Sequence, residues 1–102
     1  MQPFLIANRE QIAELCRKHH VRRLSVFGSA ARDDFDERSS DVDVLVDFSP
    51  SATLDFIENF ASLRAELERL FHHPVDLLRE GVVRNPYRLR AIESNKVDLY
   101  AA

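Results

Sequence analysis

The fold of this chain is decided by residues 27–46, which read FGSAARDDFDERSSDVDVLV. The stretch runs from apolar residues through a Gly-Ser pair and a polar loop into a valine-rich run. In that run Val42, Val44 and Val46 alternate with other side chains, which is the period of a strand with one buried face. A glycine directly after apolar residues permits a tight turn. The segment therefore predicts strand, turn, loop and strand, with Val42–Phe48 as the clearest strand.

Two aspartates, Asp41 and Asp43, lie two residues apart where this strand begins. Side chains i and i+2 of a strand point to the same face, roughly 6.5–7 Å apart along the chain. Two carboxylates ~5–6 Å apart repel by roughly 3 kcal/mol at an effective dielectric constant of 20. A divalent cation reverses that repulsion, and Mg²⁺ prefers few carboxylates plus phosphate oxygens. Solvated aspartates at a strand end give the same pattern, so the pair alone leaves both interpretations open.

The Gly-Ser pair before the polar loop indicates an anion site. Gly28 lets a phosphate approach the backbone closely, and Ser29 would open a helical turn over residues 30–32 whose free N–H groups attract anions. Arg32 is placed either for a phosphate or for a salt bridge to the acidic loop that follows. An N-cap without a ligand is the plainer interpretation of the same pair.

A third carboxylate is required if two metal ions share the site. Asp76 is the best candidate, because it lies inside the apolar strand predicted over residues 75–78, where an unpaired charge is costly. Asp47 shares the parity of Asp41 and Asp43. It lies ~13 Å from Asp43 along the strand, so we expect it to mark the exposed far end.

The rest of the chain supplies the elements that cover this sheet. Apolar periodicity and turn signals predict the following elements: a helix over residues 9–19, a strand over 24–27, a long helix capped by Ser51 or Thr53 and ended by Pro74, a strand over 75–78, a helix opened by Asn85-Pro86, and a terminal strand or packed tail over 97–100. The order predicts one α/β or α+β domain spanning residues 1–102, with a small sheet flanked by helices.

Composition narrows the class of function. The 102 residues carry a net charge of −3 and are 45% hydrophobic and 30% charged, which is typical of a globular protein. A primary nucleic-acid-binding role is disfavoured, because such binding depends on a basic face. Cys16 is alone, which excludes a disulfide framework within the chain and a cysteine-based zinc site. With no apolar run of membrane-spanning length and no signal-peptide pattern, we expect a cytoplasmic protein.

The pattern Gly28-Ser29, a spacer, Asp41-Val42-Asp43 and a later Asp76 resembles the DNA polymerase β-like nucleotidyltransferase superfamily. The chain looks most like its MNT branch, the minimal nucleotidyltransferases of prokaryotic MNT–HEPN toxin–antitoxin pairs. The resemblance runs from the strand before Gly28 to the Asn85-Pro86 helix. The spacer after Ser29 is eleven residues long, where many members have ten.

This resemblance implies a set of roles. Gly28 and Ser29 would hold the triphosphate of ATP, and Arg32 matches an arginine often found shortly after the pair. Asp41 and Asp43 would bind Mg²⁺, with two ions expected, and Asp76 would complete the carboxylate set near the attacking hydroxyl. The reaction implied is transfer of AMP to a hydroxyl, expected to be a tyrosine, of a HEPN-domain toxin. The protein would then act as the antitoxin.

Three other functions share some of these features. A degenerate nucleotidyltransferase fold would neutralise its partner by binding alone. A small metal-dependent nuclease also uses clustered aspartates. Transfer to a small molecule would need an additional acceptor pocket. For a partner surface, Phe4, Leu5, Tyr87 and Tyr100 are candidates, although core or tail packing is the stronger expectation for each.

Overall fold

The computed structural model describes residues 1–50 and 55–102 as a four-stranded mixed sheet with helices on both faces. Its elements are α1 (Pro3–Ala7), α2 (Arg9–Lys18), β1 (Val21–Phe27), β2 (Val42–Phe48), α3 (Phe56–Phe71), β3 (Val75–Arg79), α4 (Pro86–Asn95) and β4 (Val97–Ala101). The strand order is β3-β2-β1-β4. Strand β1 runs antiparallel to β2 and β4, whereas β2 and β3 are parallel. The predicted α/β class, a small mixed sheet flanked by helices, is confirmed.

The larger core lies between α1–α3 and one face of the sheet. Val42, Val44 and Val46 of β2 are all fully buried there, as the alternation in the sequence predicts. The helices contribute apolar stripes with a helical period. The buried residues that they supply are Leu5, Ile12, Cys16, Leu63, Leu67 and Phe71. Within residues 1–50 and 55–102, no helix has the length and apolar character needed to cross a membrane.

A smaller core lies on the opposite face of the sheet. It joins Phe27 of β1 and Leu45 of β2 to Ile92 of α4, all of which are buried. Since Asp43 precedes Leu45 by two residues, the two side chains point to the same face of β2. Helix α4 therefore packs on the face that carries the aspartates, while α1–α3 cover the other one.

Several boundaries differ from those predicted. Strand β1 begins at Val21, three residues before the predicted start, because Val21 pairs with Phe48 across a bulge. Helix α3 ends at Phe71, where His72 adopts a left-handed C-cap. The predicted caps of that helix, Ser51 and Thr53, lie outside the described residues. Helix α1 was not predicted, and residues 97–101 form a true strand rather than a tail.

Three of the four residues considered for a partner surface pack within the fold. Leu5 is 1% exposed, and the ring of Phe4 lies 5.6 Å from that of Phe71. Tyr100 is half-buried against the larger core. Tyr87 is 78% exposed. Core packing was the stronger expectation, and it is confirmed for Phe4, Leu5 and Tyr100.

The start of helix α4 is fixed by the Asn85-Pro86 pair, as predicted. The Asn85 side-chain oxygen accepts hydrogen bonds from the backbone N–H groups of Tyr87 (2.9 Å) and Arg88 (3.3 Å). Pro86 occupies the first turn, where its missing N–H group costs nothing. This cap holds the first turn of α4 above the aspartate-bearing face.

We expect Asn85→Ala to lower the free energy of unfolding by about 1 kcal/mol, because two backbone N–H groups lose their acceptor. Urea denaturation measures the loss. Asn85→Ser is the matched control, since its hydroxyl can replace the lost acceptor and should recover most of the stability. Equal losses in both variants would contradict the capping role.

Candidate active site

The register of three strands brings the predicted carboxylates together. Asp43 of β2 is the Cα partner of Phe27 in β1 and of Asp76 in β3. Because paired positions in neighbouring strands share a face, the carboxylates of Asp43 and Asp76 emerge side by side. Asp41 lies one residue before β2 and is exposed. The three aspartates named from the sequence therefore meet at one end of the sheet.

Asp43 is the electrostatic centre of this group. Burial raises its pKa above the usual carboxyl value, and the negative charges of Asp76 and Asp41 raise it further. The cations Arg88 and Arg32 act in the opposite direction. Two other carboxylates and two guanidinium groups thus act on the half-buried Asp43, where a charge without a neighbouring cation is disfavoured.

The turn after β1 touches this centre directly. Gly28 has a left-handed φ of +68°, and a Cβ built on it would collide with a carboxylate oxygen of Asp43. Glycine is required here for both reasons. A single 3₁₀ turn over Gly28–Ala30 follows, closed by the Ala31 N–H donating to the Gly28 carbonyl at 3.1 Å. The helical turn predicted over residues 30–32 therefore begins two residues earlier.

Arg32 makes the salt bridge that was one of its two expected roles. Its Nε and Nη2 atoms donate to the two carboxylate oxygens of Asp34 at 3.1 and 3.2 Å. This hydrogen bonding lowers the pKa of Asp34. The guanidinium still acts on Asp43, but its donors toward Asp34 are engaged.

A groove of about 340 Å³ opens beside the carboxylates at the β3 edge of the sheet. Asp41 and Asp76 line it from the strands. Phe60, Arg64 and Glu68 of α3 are among the residues that form its other wall. Asp76 is exposed, so the predicted third carboxylate faces an open approach rather than an apolar interior.

Asp47 is separate from this group, as predicted. Its Oδ2 atom accepts hydrogen bonds from Arg22 at 2.7 and 2.9 Å, at the other end of β2. The strand thus has a paired aspartate at its C-terminal end and two aspartates of the candidate site at its start.

Arg88 is the site residue that the sequence did not reveal. It lies one helical turn before Ile92 on α4, so both side chains project from the same side of the helix. Its spacing from Ile92 is visible in the sequence. Only the packing of Ile92 on Phe27 and Leu45 shows which face of the sheet that side of the helix covers.

The oxygen donors of these side chains suit a hard cation whose remaining ligands come from the substrate and water. Within residues 1–50 and 55–102, no three His, Cys, Asp or Glu side chains form a ready metal cage. Mg²⁺ does not require one, since it commonly uses one or two carboxylates and takes its other ligands from water and phosphate. Burial and the neighbouring carboxylates of Asp76 and Asp41 raise the pKa of Asp43, so a cation bound beside it would relieve an unfavourable charge.

We expect Gly28→Ala to destabilise the protein by about 1–3 kcal/mol more than Gly81→Ala does. Both glycines have positive φ, but a Cβ at Gly81 meets nothing within 4 Å, so only the first variant collides with Asp43. Urea denaturation provides the comparison. In an Asp43→Ala background the excess cost of Gly28→Ala should disappear, and its persistence would contradict the contact.

Replacement of Asp43 by Asn should raise the free energy of unfolding at pH 7. The folded-state pKa of Asp43 is raised above its ordinary value of 3.8, so its contribution to stability is present below that value. The contribution is lost as the pH rises through the raised pKa. The gain should therefore vanish near about pH 3, where the wild-type carboxyl is also protonated in both states. Asp47→Asn, which loses a partner of Arg22, should show no such gain.

Several known proteins resemble this chain in sequence and in fold. The family described as "Nucleotidyltransferase domain" matches residues 9–99. A relative from Methanocaldococcus jannaschii, named "Putative protein adenylyltransferase", is 34% identical over 90 residues, which cover 87% of each chain. A solved structure described as a "putative minimal nucleotidyltransferase" is 31% identical, with a TM-score of 0.72 over 91% of this chain and 90% of that one.

Two further structures resemble this chain in fold. One is a toxin–antitoxin complex with AMP-PNP, with a TM-score of 0.71 and 22% identity over 93% of this chain and 74% of that one. The other is the tri-AMPylated Shewanella oneidensis HEPN toxin in complex with an MNT antitoxin, with a TM-score of 0.65 and 20% identity over 96% and 73%. On the extent of the family match and the identity to its relatives, this chain belongs to the nucleotidyltransferase domain family.

Proposed function

We propose that this protein is a Mg²⁺-dependent adenylyltransferase that moves AMP from ATP to a tyrosine hydroxyl of a HEPN-domain toxin and so acts as its antitoxin. The observation that carries the proposal is the meeting of Asp41, Asp43 and Asp76 beside the Gly28 turn, in a chain of the nucleotidyltransferase family. The named relatives and the HEPN–MNT structural neighbour support the choice of AMP and of a protein acceptor.

The candidate residues have separate roles in metal binding and phosphate binding. Asp41 and Asp43 would hold two Mg²⁺ ions together with Asp76, which supplies the third carboxylate. When bound, the metal lowers the pKa of the attacking hydroxyl and neutralises charge on the leaving phosphates. The N–H groups of the Gly28–Ser29 turn bind the phosphate oxygens. Arg32 joins them when phosphate displaces Asp34 from its guanidinium.

The reaction is an in-line displacement at the α-phosphorus of ATP. The acceptor oxygen forms a new P–O bond, the bond to the β-phosphate oxygen breaks, and pyrophosphate leaves. Asp76 takes the proton of the acceptor hydroxyl, because its carboxylate is exposed and lines the open groove. The groove at the β3 edge thus gives the acceptor a path to the reacting atoms.

Exposed apolar surface near the same edge supports a protein as the acceptor. Ile57 and Val82 are 82% and 62% exposed, and both line an apolar groove with Phe60 and Leu77. Phe60 and Leu77 also line the groove that holds Asp41 and Asp76. Contiguous exposed apolar surface marks protein interaction sites. Small-molecule sites are more enclosed than this groove.

The working unit in this proposal is a single domain over residues 1–102 that acts in the cytoplasm. The larger core supports one domain, since it joins residues from Leu5 to Leu77. The cytoplasm supplies the ATP and Mg²⁺ that the proposed reaction consumes or requires.

The intact mass of the HEPN partner, co-expressed with this protein, tests the function. With the wild type we expect the partner to gain one or more AMP units, and with Asp43→Asn we expect no gain, because the central carboxylate is lost. Asp47→Asn is the matched control: it removes a carboxylate from the same face of the same strand, yet should leave the AMP gain intact.

Two other outcomes would overturn the transferase function for that partner. An unchanged mass in a stable complex would indicate neutralisation by binding alone. Cleavage of nucleic acid without any NTP requirement, lost in Asp43→Asn, would indicate a nuclease.

A further inference from the structure

Helix α4 carries a cation over the end of the sheet where the carboxylates meet. Ile92 is 3% exposed and packs on Phe27 and Leu45, which fixes one side of the helix against the aspartate-bearing face. Arg88 projects from that same side one turn nearer the helix start. The Asn85 cap in turn fixes the first turn through the backbone N–H of Arg88 itself. The side chain of Arg88 therefore projects over the Phe27–Asp43 side of the site, where its charge acts on Asp43.

The guanidinium of Arg88 has no protein partner in the part of the chain that the structure describes. Its side chain makes no hydrogen bond or ion pair there, although its charge acts on Asp43. Arg32 differs, because two of its donors are engaged by Asp34. Of the two cations that act on Asp43, Arg88 is thus the one whose five N–H donors remain open to a ligand.

We propose that Arg88 is a substrate-binding residue that clamps the β- and γ-phosphates of ATP from the face opposite the Gly28–Ser29 backbone. This inference rests on the proposed nucleotidyl transfer and adds a residue to it. A guanidinium presents parallel donors that match two phosphate oxygens, which a lysine cannot reproduce. Held between α4 and the turn, the leaving pyrophosphate would meet backbone N–H groups on one side and Arg88 on the other.

ATP carries β- and γ-phosphates and AMP does not. Comparing the binding of the two nucleotides therefore tests whether Arg88 contacts those phosphates. In a titration of the purified protein with Mg²⁺ present, we expect Arg88→Gln to weaken ATP binding roughly 10- to 100-fold, the effect of losing a charge-assisted pair. AMP binding should stay within about twofold, because AMP lacks the phosphates that Arg88 contacts. Arg88→Lys should recover part of the ATP affinity through charge alone.

Arg90→Gln is the matched control. Arg90 is an exposed arginine two residues further along α4, on the other side of the helix, so its removal changes the net charge equally but should leave ATP binding unchanged. Thermal unfolding of all the variants identifies any loss of fold. Under saturating ATP, Arg88→Gln should keep the binding of the HEPN partner unchanged.

The same titration distinguishes failure of the proposed Arg88 role from failure of the proposed nucleotidyl transfer. If the wild type binds no ATP with Mg²⁺ present, nucleotidyl transfer and the role of Arg88 both fall. If the wild type binds ATP and Arg88→Gln binds it equally well, the clamp is wrong while the transferase stands. Equal weakening of ATP and AMP would also overturn the assignment, because it would place Arg88 at the α-phosphate or the nucleoside.

Discussion

The pairing of β2 with both of its neighbours is the constraint on which the candidate site depends. Asp43 is held between Phe27 on one strand and Asp76 on the other. A shift of either strand by one residue would turn its side chains to the opposite face and separate the carboxylates. The same register brings the Gly28 backbone against the Asp43 carboxylate, where no side chain fits. The proposed metal ligands and the proposed phosphate-binding backbone are thus positioned by the same strand pairing.

Burial of the opposite face of the same strand offsets the repulsion between the grouped carboxylates. Val42, Val44 and Val46 alternate with the aspartates and are fully buried under α2 and α3. Burying each valine side chain contributes about 1.5–3 kcal/mol, which is comparable with the repulsion between two nearby carboxylates. The strand can therefore hold a charge arrangement that is unfavourable without its ligand.

The two faces of the sheet differ in their cover, because α1–α3 pack on one face and α4 packs on the aspartate-bearing face. Helix α4 packs there through Ile92, and the carboxylate end of the sheet remains accessible beside the groove at β3. A face covered by three helices would bury the aspartates, and a bare face would leave Arg32 as the one cation within the described residues that lowers the pKa of Asp43. The single helix supplies Arg88 while leaving the approach to Asp76 open, an arrangement compatible with the proposed transfer to a protein acceptor.

Local pattern in the sequence determined the strand Val42–Phe48, the stripe of the long helix and the Asn85 cap, because each depends on residues close together in the chain. It also placed Asp41, Asp43 and Asp76 as candidates, through strand parity and an aspartate within an apolar run. The sequence left open whether Arg32 meets a phosphate or the acidic loop, and the structure pairs it with Asp34, two residues away. Only the tertiary structure decided that Arg88 joins the carboxylates, because its position depends on which face of the sheet α4 covers. The packing that fixes this face joins segments that are distant in the chain, which spacing along the chain does not encode.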